Sequence, residues 1–233
     1  MALTSPRKVT SGYYRNHLYV LLGFNVLATL VAWSNPSDLP LAPPLAAAVL
    51  SYIGSVAWLY EKPRAGIVLL VLVAASALWG AIAGGALAGH QSHAAPPLAV
   101  ADVITSGALL GVTLAAMFLG HWYLNSPTMS LKPLERLVLL LGGATGARAA
   151  VCAAGLSMQL AEPHMLGSSI VLFLVLRWLA GVAAPLLLAW MTWRTLKIPN
   201  TQSATGILYV AVIVTFIGEL TSLLLASELG YPL

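Results

Sequence analysis

Charge is scarce in this chain. Asp, Glu, Lys and Arg together make 8% of its 233 residues, where a soluble globular domain carries ~25%. Cysteine is scarcer still: Cys152 stands alone, which excludes an intrachain disulfide and any cysteine-built zinc or iron–sulfur site. Several chemical signatures are missing as well. The sequence contains no P-loop, no HExxH zinc-protease motif and no GxSxG nucleophile elbow. The last apolar run has no lysine, so a retinal Schiff base of the usual kind is excluded. Alternating segments of about ten residues, the mark of a transmembrane barrel, are not seen either.

What fills the chain instead is apolar sequence, at 59% of residues. Long mostly apolar stretches predict an all-α integral membrane protein, a bundle of seven transmembrane helices in one polytopic domain over 1–233. The expected spans are 17–34, 41–60, 65–88, 97–124, 134–159, 168–193 and 203–227. Pro43 and Pro44 crowd the start of the second, where first-turn prolines are tolerated. The first run follows Arg7, Lys8 and Arg15 and superficially resembles a signal peptide. We expect it to stay as a helix, because its removal disturbs the charge pattern that follows.

Of the 11 Lys and Arg residues, all but Arg148 and Arg177 fall on one set of connections. Arg7, Lys8 and Arg15 precede the first span, and Lys62 and Arg64 join the second to the third. Lys132 and Arg136 join the fourth to the fifth, and Arg194 and Lys197 join the sixth to the seventh. The alternate connections contain neither Lys nor Arg. This alternation predicts a cytoplasmic N-terminus and an outside C-terminus, as in a bacterial inner-membrane protein. The net charge of +4 therefore reports topology, and no nucleic-acid partner is expected. Tyr13, Tyr14, Tyr60, Trp122, Tyr123, Trp190 and Trp193 should mark the cytoplasmic interface, and Trp33 the outer one. Ser76, Gly80 and Gly84 form a small-residue row on the third span, as close helix packing in lipid requires.

Three charges break the last three apolar runs: Arg148, Arg177 and Glu219. A lone charge at lipid depth costs ~2.5–3.5 kcal/mol on insertion scales, so each needs a partner or a hydrated cavity. At 1.5 Å per residue, Arg148 lies about 21 Å and Glu219 about 24 Å from the basic side, and Arg177 about 14 Å from the opposite side. All three then share one layer in the outer half of the membrane, and Asp102 approaches it. Each occupies a small or polar face: Asp102 with Ser106 and Thr113, Arg148 with Cys152, Gly155 and Gln159, and Glu219 with Thr215 and Ser222. Gly181 leaves space beside Arg177. Should Asp102 prove too shallow to join, two arginines would face one carboxylate and favour an anionic ligand.

The histidines separate from that layer. His17 and His121 are placed at the cytoplasmic ends of the first and fourth spans, where they are candidates for b-type haem or quinone. His90, His93 and His164 fall in outer connections and are weak candidates for zinc or copper. The segment GHWYLNSPTMSLKPLERL predicts a helix end at Asn125–Ser126–Pro127 and a cap at Ser130.

The sequence favours transport of a small anionic or proton-coupled solute through Arg148, Arg177, Glu219 and Asp102. The alternatives are the membrane anchor of a redox assembly holding quinone or haem b, a lipid-modifying enzyme using the arginines on phosphate head groups, and a scaffold. In a scaffold, the ion pairs only fix helix order. The expected partners are the lipid bilayer, a small anionic ligand, and other membrane proteins or a second copy of the chain.

Overall fold

The computed structural model describes residues 9–86, 95–125, 129–162, 167–198 and 200–233. The described residues are helical apart from short turns. The helices are α1 (Ser11–Ser34), α2 (Ala42–Leu59), α3 (Pro63–Ala81) with a π-helical turn at Ile82–Ala86, α4 (Pro96–Asn125), α5 (Lys132–Ala161), α6 (Ser168–Trp178), a second π turn at Leu179–Ala183, α7 (Ala184–Lys197) and α8 (Thr201–Leu229). Since α6, the π turn and α7 form one span over Ser168–Lys197, seven helical spans are long and apolar enough to cross a bilayer. Their solvent-facing surface is apolar, with Leu30, Leu139, Leu172 and Leu223 all at least 60% exposed. Polar side chains such as Ser51, Thr113, Thr145 and Thr192 are buried. This inside-out distribution is that of an integral, multi-pass membrane protein whose outer surface meets lipid.

Prolines explain several starts. Pro43, Pro63, Pro133 and Pro185 stand in first turns, where a missing N–H is no loss. Pro185 has a second effect: its ring excludes a hydrogen bond to the preceding turn, and the backbone widens to a π turn over Leu179–Ala183. Asn200 caps α8, its side-chain oxygen accepting from the Ser203 N–H at 3.0 Å. Ser130 does not cap α5. Leu131 takes that position, and the Ser130 carbonyl accepts the Tyr123 hydroxyl instead.

The chain forms two compact units, Met1–Gly89 and His90–Leu233. In the first, α2 packs against both α1 and α3. α1 begins six residues before the expected start, because Tyr13 and Tyr14 have packing partners of their own. Tyr14 stacks on Trp58 with ring centroids 4.2 Å apart and planes 8° apart. Trp58 in turn lies over Gly66, where a Cβ would fall 2.4 Å from the indole. Tyr13, Tyr14 and Tyr123 are therefore buried core, whereas Trp33, Tyr60 and Trp190 stay exposed in the manner of interfacial anchors. The small-residue row on α3 allows close approach: a Cβ on Gly80 would meet Pro43 at 3.0 Å, and one on Gly84 would meet Leu39 at 3.1 Å.

The second unit is organised around α8, which packs against α4, α6, the second π turn and α7. α5 contacts α4, α7 and the same turn. A close backbone crossing lies between Gly181 in the turn and Gly218 on α8. A Cβ on Gly218 would lie 2.2 Å from the Gly181 Cα. That crossing brings Arg177 and Glu219, each within one turn of it, to the same level. α8 ends at Gly230, whose φ of 76° is a left-handed conformation that glycine adopts without strain. The chain then reverses, and Tyr231, Pro232 and Leu233 are buried.

Candidate functional site

Four helices each contribute one charge to a single cluster. Glu219 of α8 is its hub. Its Oε1 accepts from Arg148 Nε at 3.1 Å and its Oε2 from Ser106 Oγ at 2.6 Å. Ion pairs to Arg148 Nη2 at 3.0 Å and Arg177 Nη2 at 3.2 Å complete its surroundings. Arg148 also pairs through Nη1 with the Asp102 carboxylate and donates from Nη2 to Ser222 Oγ at 3.0 Å. Arg177 donates from Nε to the backbone oxygen of Leu233 at 2.9 Å and from Nη2 to Cys152 Sγ at 3.1 Å. Ser222 Oγ donates to the same Leu233 oxygen. Arg148, Arg177 and Glu219 are 1%, 0% and 4% exposed, while the Asp102 side chain retains 24%.

The four charged residues expected to meet therefore do meet. Asp102 is not too shallow, and its inclusion removes the spare positive charge. Two guanidinium groups face two carboxylates, so the formal charges of these four side chains balance. A low-dielectric interior tolerates that arrangement and would penalise an unpaired member. Its donors are not all used. Arg177 Nη1 is buried without a hydrogen-bond partner, as are Thr215 Oγ1, one turn from Glu219, and Gln159 Oε1, one turn from Gly155.

Local sequence explains the fit. Gly181 is required twice, for a Cβ there would fall 1.7 Å from Arg177 Nη1 as well as pressing on Gly218. Gly155 accommodates the returning chain, and its Cβ would lie 1.8 Å from the Pro232 oxygen. Tyr231 fixes that return by donating its hydroxyl to Glu162 Oε1 at 3.1 Å. Desolvation and the neighbouring Glu162 carboxylate push the Tyr231 phenol above its ordinary pKa.

The sequence reading missed Gly218, Ser222 as an intermediary, and the segment after α8. The Gly-Tyr-Pro string following a long helix was a signal for the last of these.

His17, in the first unit, is buried and shares its Nδ1 with the Tyr13 carbonyl at 3.0 Å. His121, in the second, is exposed and contacts the Tyr209 hydroxyl at 3.2 Å through Nδ1. His90, His93 and His164 lie outside the described residues. Among the described residues, no three His, Cys, Asp or Glu side chains converge as metal ligands. The first unit also holds a cavity of about 450 Å³ between α1 and α3, lined by Phe24, Asn25, Ala28, Leu39, Pro44 and Gly80 among others. Its lining is mainly apolar, and the Asn25 amide is occupied by the Leu21 carbonyl at 2.8 Å.

No protein family, curated protein or solved structure matches the chain. The cluster's own chemistry is what bears on function.

Proposed function

We propose that this protein is a proton-coupled carrier of a small anion, with Glu219 as its switch. The observation that carries the reading is the charge balance of a cluster whose three central members are at most 4% exposed. Adding an anion alone would leave a buried net charge of one sign, which is strongly penalised. Adding an anion together with a proton leaves the cluster neutral. Glu219 is assigned that proton because it is the carboxylate paired with both guanidinium groups, so neutralising it is the change that releases Arg177. A protonated Glu219 carboxyl keeps Ser106 as a partner and loosens its hold on Arg177. The freed guanidinium then binds the anion, and deprotonation on the other side restores the ion pair and expels the solute. Asp102 stays on Arg148 throughout, so the second guanidinium is never left bare. The basic connections face the cytoplasm in this reading, and the host membrane is a bacterial inner membrane.

The test is uptake of radiolabelled short-chain carboxylates into proteoliposomes under an imposed pH gradient. The wild type should accumulate solute when the compartment outside is acidic. Glu219→Gln keeps the side-chain length and an acceptor oxygen but cannot cycle a proton, and it should lose gradient-driven accumulation while purifying as a monodisperse protein. Undiminished accumulation by Glu219→Gln would overturn the reading.

A further inference from the structure

We infer that one stripe at the basic end of α7, made of Trp190, Trp193, Arg194 and Lys197, binds a single anionic phospholipid. The two cations hold its phosphodiester, and its acyl chains lie along Leu186 and Leu187. The site is independent of the carrier reading, since Arg194 follows Arg177 by about 25 Å of helix.

Helical spacing builds the stripe. Positions 190, 193, 194 and 197 recur at i, i+3, i+4 and i+7, and 186 and 187 continue the same face one turn earlier. The opposite face of α7 carries Pro185, Ala189, Thr192 and Leu196, all buried in the unit. The stripe therefore points outward, with Trp190 57% and Leu187 54% exposed. Each cation is seated on an indole. The Lys197 ammonium lies 4.8 Å from the Trp193 ring centroid, and the Arg194 guanidinium lies 5.9 Å from that of Trp190. Contacts of this kind hold long basic side chains in place without neutralising them. From the basic end inward the order is cation, indole, leucine, over about 15 Å between Lys197 and Leu187. A phospholipid runs through the same order, as phosphate, glycerol ester and acyl chain.

Charge argues for an anionic occupant. Between Trp178 and Gly218 the sequence has no Asp or Glu. Among the described residues, the ion pairs are those of the Glu219 cluster, so neither Arg194 nor Lys197 has a carboxylate partner. The other two basic connections between described helices differ, for Glu61 adjoins Lys62 and Glu135 adjoins Arg136. A lipid phosphodiester supplies the missing negative charge, and its chains cover the exposed leucines, which a free phosphate ester leaves bare.

The experiment is native mass spectrometry of the purified full-length protein in detergent. It is titrated with dioleoyl phosphatidylglycerol or dioleoyl phosphatidylcholine, which share their chains and differ in net charge. Wild type should retain one phosphatidylglycerol about tenfold more tightly than phosphatidylcholine. Arg194→Gln combined with Lys197→Gln should bring the two lipids within about twofold of each other. Lys62→Gln combined with Arg64→Gln removes the same charge elsewhere and should leave the preference intact, as should Lys197→Arg. Trp190→Leu keeps an apolar side chain but loses the ring beside Arg194, and should weaken retention by about threefold. Equal retention of both lipids by wild type overturns the inference. So does a matching loss of preference in the Lys62 and Arg64 variant, which marks general surface charge. Glycerophosphoglycerol, the head group without chains, should not displace the lipid at equal concentration; displacement overturns the lipid assignment in favour of a free phosphate ester.

Discussion

The pairing of Arg177 with Glu219 can be tested by removing its members singly and together. The relevant nitrogen and oxygen are 3.2 Å apart. At an effective dielectric of ~20, a unit charge pair at that separation attracts by about 5 kcal/mol. Much of that is offset by desolvation, but truncating one member leaves the other buried and uncompensated, at a cost of ~3–5 kcal/mol. Glu219→Leu should therefore destabilise by that amount, since Arg177 retains only the Leu233 oxygen and the Cys152 sulfur as acceptors. Arg177→Leu costs less, because Glu219 keeps Arg148 and Ser106. The double substitution removes both charges and should recover at least ~2 kcal/mol of the summed single losses. Unfolding titrations with sodium dodecyl sulfate in mixed micelles measure all three. Additivity of the two single losses to within ~0.5 kcal/mol would refute the coupling and with it the charge-balance argument.

The backbone crossing gives a second stability test. Gly218→Ala should lower stability by ~1–3 kcal/mol through overpacking, since its Cβ would meet the Gly181 Cα at 2.2 Å. Gly206→Ala, on the same helix with open space around its Cβ, should be neutral or stabilising by up to ~1 kcal/mol; thermal unfolding of both in detergent separates crossing from propensity.

The seven spans were legible because each needs only a long apolar run, and Pro43 was read as a first-turn residue of the second. The meeting of Arg148, Arg177, Glu219 and Asp102 was legible as well. The alternation of basic connections orders the helices in depth, and a charge in an apolar run has few tolerable surroundings. The detailed geometry was not. The depth estimate could not decide whether Asp102 reaches Arg148, because a long guanidinium side chain spans more than one helical turn. The π turn before Pro185 shifts which face α7 presents, and an ideal helical projection through Arg177 and Ala184 misses that shift. Tyr13 and Tyr14 resemble interfacial anchors in composition, and only the stacking of Tyr14 on Trp58 and of Tyr13 beside Tyr14 and His17 places them in the core. Gly218 reads as a generic small residue until Gly181 is known to lie opposite.

The position of the hub on the chain has a consequence for how the protein is made. The α4–α6 helices hold Asp102, Arg148 and Arg177, one carboxylate against two guanidinium groups, and the balancing carboxylate arrives only with α8. If α4 to α6 insert before α8 is made, the nascent chain should pass through a stage at which a buried cation waits for its partner. Insertion of α8 should thus also be the moment at which α4, α5 and α6 become fixed. Chains arrested before residue 201 should be cleared by membrane proteases faster than those arrested after residue 229, and equal half-lives in a pulse-chase would exclude such a checkpoint.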